Sequence, residues 1–253
     1  MNAKSERKRL DVLLVERGLA ESRQKGQAMI LAGEVEVDGT RVDKAGLAIA
    51  EGSRIEVHSR LQKYASRGGF KLEGALEDFG VRVEGKICLD VGASTGGFTD
   101  CLLQNGAQRV YAVDVNTDQL AWKLRGDERV KRVQKNAREL SAKDLPEQVE
   151  LVVADVSFIS VNKVLPGAAE CAKAGTDVLI LIKPQFELKR EDIGKGGIVR
   201  DVSLHERAID SVKNAAGSLG LECLGVMPSR LAGAEGNQEY FLHARKLAGV
   251  ESR

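Results

Sequence analysis

The sequence predicts an α/β fold, a mostly parallel sheet with helices on both faces, preceded by a small α+β unit. Three observations carry this. Between residues 87 and 244, seven short apolar runs alternate with helical patterns, and such alternation builds parallel sheets. The first run, Ile87–Val91, breaks into a glycine-rich turn and then a helical stretch, the corner at which such sheets bind ligands. Before residue 58 the elements are shorter and differently ordered, two helical patterns followed by small strands.

Length and composition set the frame. The 253 residues suit a large domain with a small one, and 43% hydrophobic with 30% charged residues describes a soluble globular chain. No apolar stretch approaches the ~20 residues of a membrane span. The start, MNAKSERKRL, is charged and no apolar signal core follows, so a cytoplasmic location is expected. Cys88, Cys101, Cys171 and Cys223 form no C-x-x-C pair, and the histidines are scattered. Free thiols in a reducing compartment and no metal site are therefore expected. Net charge is +1, with a small basic surplus in the first 70 residues that points weakly to phosphate. The sequence carries no signal of oligomeric state.

In chain order, Arg9–Gly18 places Leu10, Leu13 and Leu14 at helical spacing, with Gly18 as the stop. Ser22 suits the N-cap of a second helix carrying Ala28, Met29, Ile30 and Leu31 towards Gly33. Val35 and Val37 alternate with acids, Asp38-Gly39 is a hairpin signal, and Thr40–Val42 and Arg54–Val57 supply further strands. The polar stretch before Phe70 ends in a glycine pair, so the domains are expected at 1–58 and 70–253, joined by a linker over 59–69.

Phe70–Gly80 gives a helical stripe of Phe70, Leu72, Leu76 and Phe79; periodicity alone puts Lys71 towards solvent. Strands are predicted at Ile87–Val91, Arg109–Val115, Val130–Lys135, Leu151–Ala154, Val178–Ile182, Glu222–Met227 and Tyr240–Ala244. Helices are predicted near Thr99–Asn105, Asp118–Arg125, Val161–Ala174 and Leu204–Gly220. Only Pro228–Glu239 separates the last two strands, which predicts an antiparallel pair.

The turn Gly92-Ala-Ser-Thr-Gly96-Gly97 lets a ligand approach the backbone, and Asp114 ends the next strand, where a carboxylate can bind ribose hydroxyls. Ser94 stands where the dinucleotide fingerprint needs its second glycine, which argues against a nicotinamide oxidoreductase. Asp90-x-Gly92 followed by Gly96-Gly97 instead resembles the first motif of S-adenosylmethionine methyltransferases. Asp155 follows the fourth strand and Lys183 the fifth. A charge at the end of an apolar strand is costly unless paired or functional, so these two are expected to meet. Glu239, in GNQEY, is placed to close the same cleft edge.

Two resemblances sharpen this. Arg9–Val57, through Arg9-Leu10-Asp11, Gly18-Leu19, Ser22-Arg23, Gly33 and Val35-x-Val37-Asp38-Gly39, resembles the S4 RNA-binding domain. That resemblance implies RNA contacts at Arg9, Arg23, Lys25 and Arg41, to which Arg67 of the linker adds a further candidate. Lys71, Asp155, Lys183 and Glu239 match the Lys-Asp-Lys-Glu tetrad of FtsJ-like ribose 2′-O-methyltransferases, and with the S4 module the chain is similar to the TlyA (hemolysin A) family.

The resemblance implies a seven-strand Rossmann-like fold and methyl transfer from S-adenosylmethionine to a cytidine 2′-hydroxyl of ribosomal RNA, with ribosomal RNA or ribosomal subunits as partners and no metal. Lys71, Asp155, Lys183 and Glu239 are then the catalytic candidates. Asp90, Gly92, Ser94, Thr95, Gly96, Gly97, Phe98 and Asp155 border the methionine end of the cofactor, Asp114 its ribose and Asn136 its adenine. An inactive RNA-binding protein on a methyltransferase fold is the alternative, opposed by the intact tetrad. A pore-forming hemolysin is opposed by the lack of an amphipathic pore helix.

Overall fold

The computed structural model describes residues 7–20, 22–31, 33–57, 63–194, 196–233 and 236–248. The chain divides between Gln62 and Lys63 into two compact units. Residues 58–62 of the expected boundary lie outside the described residues.

In the first unit, strand β1 (Arg7–Arg9) leads into helices α1 (Leu10–Glu16) and α2 (Arg23–Leu31), then β2 (Val35–Val37), β3 (Thr40–Val42), β4 (Ala48–Ala50) and β5 (Ile55–Val57). Ser22 Oγ accepts the Lys25 amide at 3.2 Å, the N-cap that starts α2. Asp38 and Gly39 both take positive φ, +51° and +79°, as a tight two-residue hairpin between β2 and β3 requires. The order β3-β2-β5 is antiparallel, and Leu10, Leu13, Leu14, Ile30, Val35 and Ile49 close the core. Strand β1, which pairs antiparallel with β4, is absent from the sequence reading.

The second unit runs α3 (Gly68–Phe79), β6 (Ile87–Val91), α4 (Gly97–Gln104), β7 (Arg109–Asp114), α5 (Trp122–Arg125), β8 (Val130–Gln134), β9 (Val149–Ala154), α6 (Leu165–Cys171), β10 (Ala172–Ile182), α7 (Pro184–Glu187), α8 (Val202–Ser218), β11 (Leu221–Pro228) and β12 (Tyr240–Lys246). The seven strands lie in the order β11-β12-β10-β9-β6-β7-β8. All neighbours are parallel except β12, antiparallel to both β10 and β11. Side chains alternate across the sheet: Leu89, Val91 and Val152 face α6 and α8, whereas Cys88, Leu151 and Val153 pack with Leu72, Leu76 and Leu102 of α3 and α4.

Two predicted helices are broken. Pro166 lies in the first turn of α6, after a separate 3-10 turn at Val161–Lys163. Between Thr117–Gln119 and α5, the Ala121 amide donates to the Thr95 carbonyl at 3.1 Å, so tertiary pairing replaces the helical bond. The second half of the expected linker is packed structure: Tyr64 is buried and its hydroxyl donates to Glu73 Oε1 at 2.9 Å, while the Ala65 amide donates to Asp100 Oδ2 at 2.7 Å.

Candidate active site

From β6 the chain moves outward through β7 and β8, then returns to β9 on the other side of β6. This reversal makes the carboxyl ends of β6 and β9 the switch point of the sheet, where open α/β folds bind ligands. A cavity of about 220 Å³ opens there, walled by Gly92, Ala93, Ser94, Thr95, Gly97 and Phe98 of the glycine loop, by Asp155, Ser157 and Lys183 of the next strand ends, and by Arg67 and Lys71 at the start of α3.

The four catalytic candidates form two ion pairs. Lys183 Nζ lies 2.5 Å from Asp155 Oδ1, a charge contact without hydrogen-bond alignment, and donates to Ser157 Oγ at 2.7 Å. Lys71 is ion-paired with Glu239, and both are buried. Lys71 therefore does not face solvent as helical periodicity predicts, because the first turn of α3 covers the cavity. Glu239 is 2% exposed and stays out of the cavity wall, so it meets Lys71 and does not close the cleft edge. Ser157 is not among the residues the sequence singles out, because a neutral, exposed hydroxyl two residues beyond Asp155 carries no strand-end charge signal.

The glycine loop is shaped by the protein's own packing. A Cβ on Gly92, at φ +89°, would strike the Asp155 carbonyl, and one on Gly96 would strike the Leu124 side chain. Gly96 thus serves the contact with α5 and is not part of the cavity wall. Ser94 holds a left-handed φ of +49°, and its amide donates to Asp114 Oδ2 at 2.9 Å. Asp114 Oδ1 accepts the Asn116 amide at 3.0 Å. Each carboxylate oxygen keeps acceptor capacity for a further donor.

Asp90 is fully buried within β6. Thr99 Oγ1 donates to its Oδ2 at 2.6 Å, while Oδ1 has no partner. Burial pushes this carboxyl up to about 7. Asn136 caps the turn Ala137–Glu139, its Oδ1 accepting from Arg138 N at 3.1 Å. Asp90, Asp114 and Asn136 all lie outside the cavity wall.

The RNA candidates separate. Arg67 is exposed at the cavity. Arg9, Arg23, Lys25 and Arg41 belong to the first unit; the Arg41 guanidinium occupies the space a side chain at Gly33 would need. Beside Ser157, Phe158 is 89% exposed at φ +66°, its ring 5.4 Å from that of Phe186. Among the described residues, no helix is long and apolar enough to cross a membrane.

Residues 64–246 match the model of the FtsJ-like methyltransferases, and residues 8–55 match the S4 domain. A 16S/23S rRNA (cytidine-2′-O)-methyltransferase TlyA of Mycobacterium tuberculosis (strain ATCC 25618 / H37Rv) is 46% identical over 241 residues, covering 94% of this chain and 90% of the relative. Hemolysin A of Brachyspira hyodysenteriae is 44% identical over 237 residues, 93% of this chain and 98% of the relative. A solved hemolysin-type structure from Streptococcus thermophilus superposes with a TM-score of 0.76 at 43% identity, covering 97% of this chain and 90% of that one.

Proposed function

Because the chain belongs to the FtsJ-like methyltransferase family and carries an S4 domain, we propose that it methylates a ribose 2′-hydroxyl, that of a cytidine in ribosomal RNA, using S-adenosylmethionine. This is the reaction for which the mycobacterial relative is named. The observation that carries the reading is the convergence of Lys71, Asp155 and Lys183 with the glycine loop on one cavity at the sheet's switch point.

The residues present fit the cofactor. Gly92, Ser94, Thr95, Gly97 and Phe98 wall the cavity that would take its methionine end, and the orphaned Asp90 Oδ1 lies buried in the strand beneath. Asp114 retains acceptor capacity for ribose hydroxyls, and Asn136 at the end of β8 is the candidate for the adenine. When bound, S-adenosylmethionine supplies an activated methyl group, so the chain's own task is to position and activate the hydroxyl.

A ribose hydroxyl is a poor nucleophile at neutral pH. Lys183, held by Asp155 and Ser157, is placed to hydrogen-bond that oxygen, either to take its proton as a base or to stabilise the developing alkoxide while the proton passes to water at the open cavity. Lys71, fixed by Glu239, binds and orients the target ribose. Arg67 at the rim, with Arg9, Arg23, Lys25 and Arg41 of the S4 domain, supplies cations for RNA phosphates in a cytoplasmic ribosomal substrate.

Tritiated-methyl transfer from S-adenosylmethionine onto separated ribosomal subunits, followed by mapping, tests this. A 2′-O-methylated cytidine is expected. Binding of cofactor and RNA without transfer would favour an inactive RNA-binding protein, and binding of NADH in place of S-adenosylmethionine would discard the reading.

A further inference from the structure

In the first unit, one buried acid organises two exposed arginines. Asp11, in the first turn of α1, has a fully buried side chain, while those of Arg9 and Arg23 are 50% and 58% exposed. Arg9 forks onto it, Nε donating to Oδ1 and Nη2 to Oδ2, each at 2.9 Å. Gln27 Nε2 donates to Oδ2 at 2.7 Å and Arg23 Nη2 to the same oxygen at 3.3 Å. The Arg9 hydrogen bonds hold the Asp11 carboxyl well below the usual carboxylate range.

The charge balance here differs from that of neighbouring cations. Lys8 lies between Glu16 and Glu51, at 3.2 and 2.9 Å, and Arg17 donates to the carbonyls of Ser53 and Glu51. Among the described residues, Arg9 and Arg23 share one carboxylate, which leaves one positive charge in excess. Among the described residues no other acceptor takes their remaining N–H groups, and a planar guanidinium fixed on one edge offers the other to an oxyanion. An ordinary surface ion pair, exposed on both sides, holds neither partner so firmly.

We propose that Asp11, together with Gln27, is a positioning residue that holds Arg9 and Arg23 as a preformed clamp for a backbone phosphate of RNA. This rests on the RNA-substrate reading above and adds the group that orders its cations. The competing role for Asp11 is a tie between α1 and α2 alone, and the two roles differ in sign. Asp11→Asn makes the chain more positive, so without a positioning role RNA affinity should hold or rise.

The test is binding of full-length protein to purified ribosomal RNA across a salt series, with melting temperature and S-adenosylmethionine affinity measured alongside. We expect Asp11→Asn to bind about five- to ten-fold more weakly despite its added charge, with a salt slope shallower by about one. Arg9→Lys keeps the charge and loses the fork, and should weaken binding comparably even where Asp11→Asn fails to fold. Undiminished affinity in Arg9→Lys, or in a folded Asp11→Asn protein, overturns the clamp while wild-type binding and methyl transfer leave the parent reading intact. A wild-type chain that binds no ribosomal RNA overturns both.

Discussion

Glu239 holds Lys71 from inside the protein: the lysine lines the cavity, whereas the acid paired with it lies in the segment that leads into β12 and does not. The contact joins residues 168 apart in sequence, the start of α3 and the entry to the antiparallel strand. A Cβ on Gly233 would lie 2.6 Å from Glu239 Oε1, so the carboxylate's place also depends on a residue without a side chain. Removing one partner of such a buried pair strands the other charge. Glu239→Ala should lower stability by about 3–5 kcal/mol. Glu239→Gln keeps an acceptor and should fold, yet lose methyl transfer with little change in S-adenosylmethionine affinity. Calorimetry of cofactor binding beside single-turnover methylation separates the two effects.

Asp114 fixes the glycine loop through the Ser94 amide and is the candidate acceptor for the cofactor ribose. Asp114→Ala removes both, and should weaken S-adenosylmethionine binding by about 1.5–3 kcal/mol, the usual worth of hydrogen bonds to a charged group. Equal affinity of the two proteins in titration calorimetry would take Asp114 off the cofactor.

Asp90 gives the apoprotein a definite pH dependence. Burial raises its carboxyl from 3.8 to about 7, so between these values the folded chain keeps a proton that the unfolded chain has released. Its contribution to stability therefore falls as pH rises through that window and is level above about 7. The accumulated cost has an upper bound of about 4 kcal/mol, from 1.36 kcal/mol per pH unit. Asp90→Asn should flatten this slope and melt higher than wild type at pH 8. Parallel melting curves from pH 4 to 8 would refute the assignment.

A fragment beginning at Lys63 retains every proposed cofactor contact and the whole seven-strand sheet. It should bind S-adenosylmethionine as the full chain does, while losing affinity for ribosomal RNA and methylation of it. Salt dependence of any residual RNA binding should be shallower, since the phosphate contacts proposed for the S4 domain are gone. Full methylation by the fragment would make that domain dispensable.

Much of this fold is legible in the sequence because buried parallel strands are short apolar runs; all seven appear, six near their predicted bounds, while β10 starts at Ala172, six residues before its apolar run and inside the helix predicted to reach Ala174. What escapes is tertiary. Strand β1 reads as a charged tail until Ala48–Ala50 pairs with it. Lys71 reads as a solvent-facing helix residue until Glu239 arrives from the far end of the chain. The glycine motif reads as room for a ligand, yet Gly96 makes room for Leu124. Strand-end chemistry travels better: the Asp155–Lys183 contact follows from two charges placed at the ends of neighbouring apolar strands.

That contact carries the test of mechanism. Lys183→Ala removes the proposed alkoxide stabiliser, a group whose hydrogen bond strengthens as charge develops on the ribose oxygen. Such groups lower the barrier without contributing equally to ground-state binding, so the loss belongs in the chemical step. Single-turnover methylation should fall at least about 100-fold, the scale of a lost acid–base or oxyanion group. Asp155 lies partly open to the cavity, where water can replace the missing ammonium, so melting temperature and S-adenosylmethionine affinity should stay near wild type. A purely structural bridge predicts the reverse, early melting with near-normal methylation by the surviving protein. That reverse pattern would remove Lys183 from the chemistry and leave the cavity without its alkoxide-stabilising group.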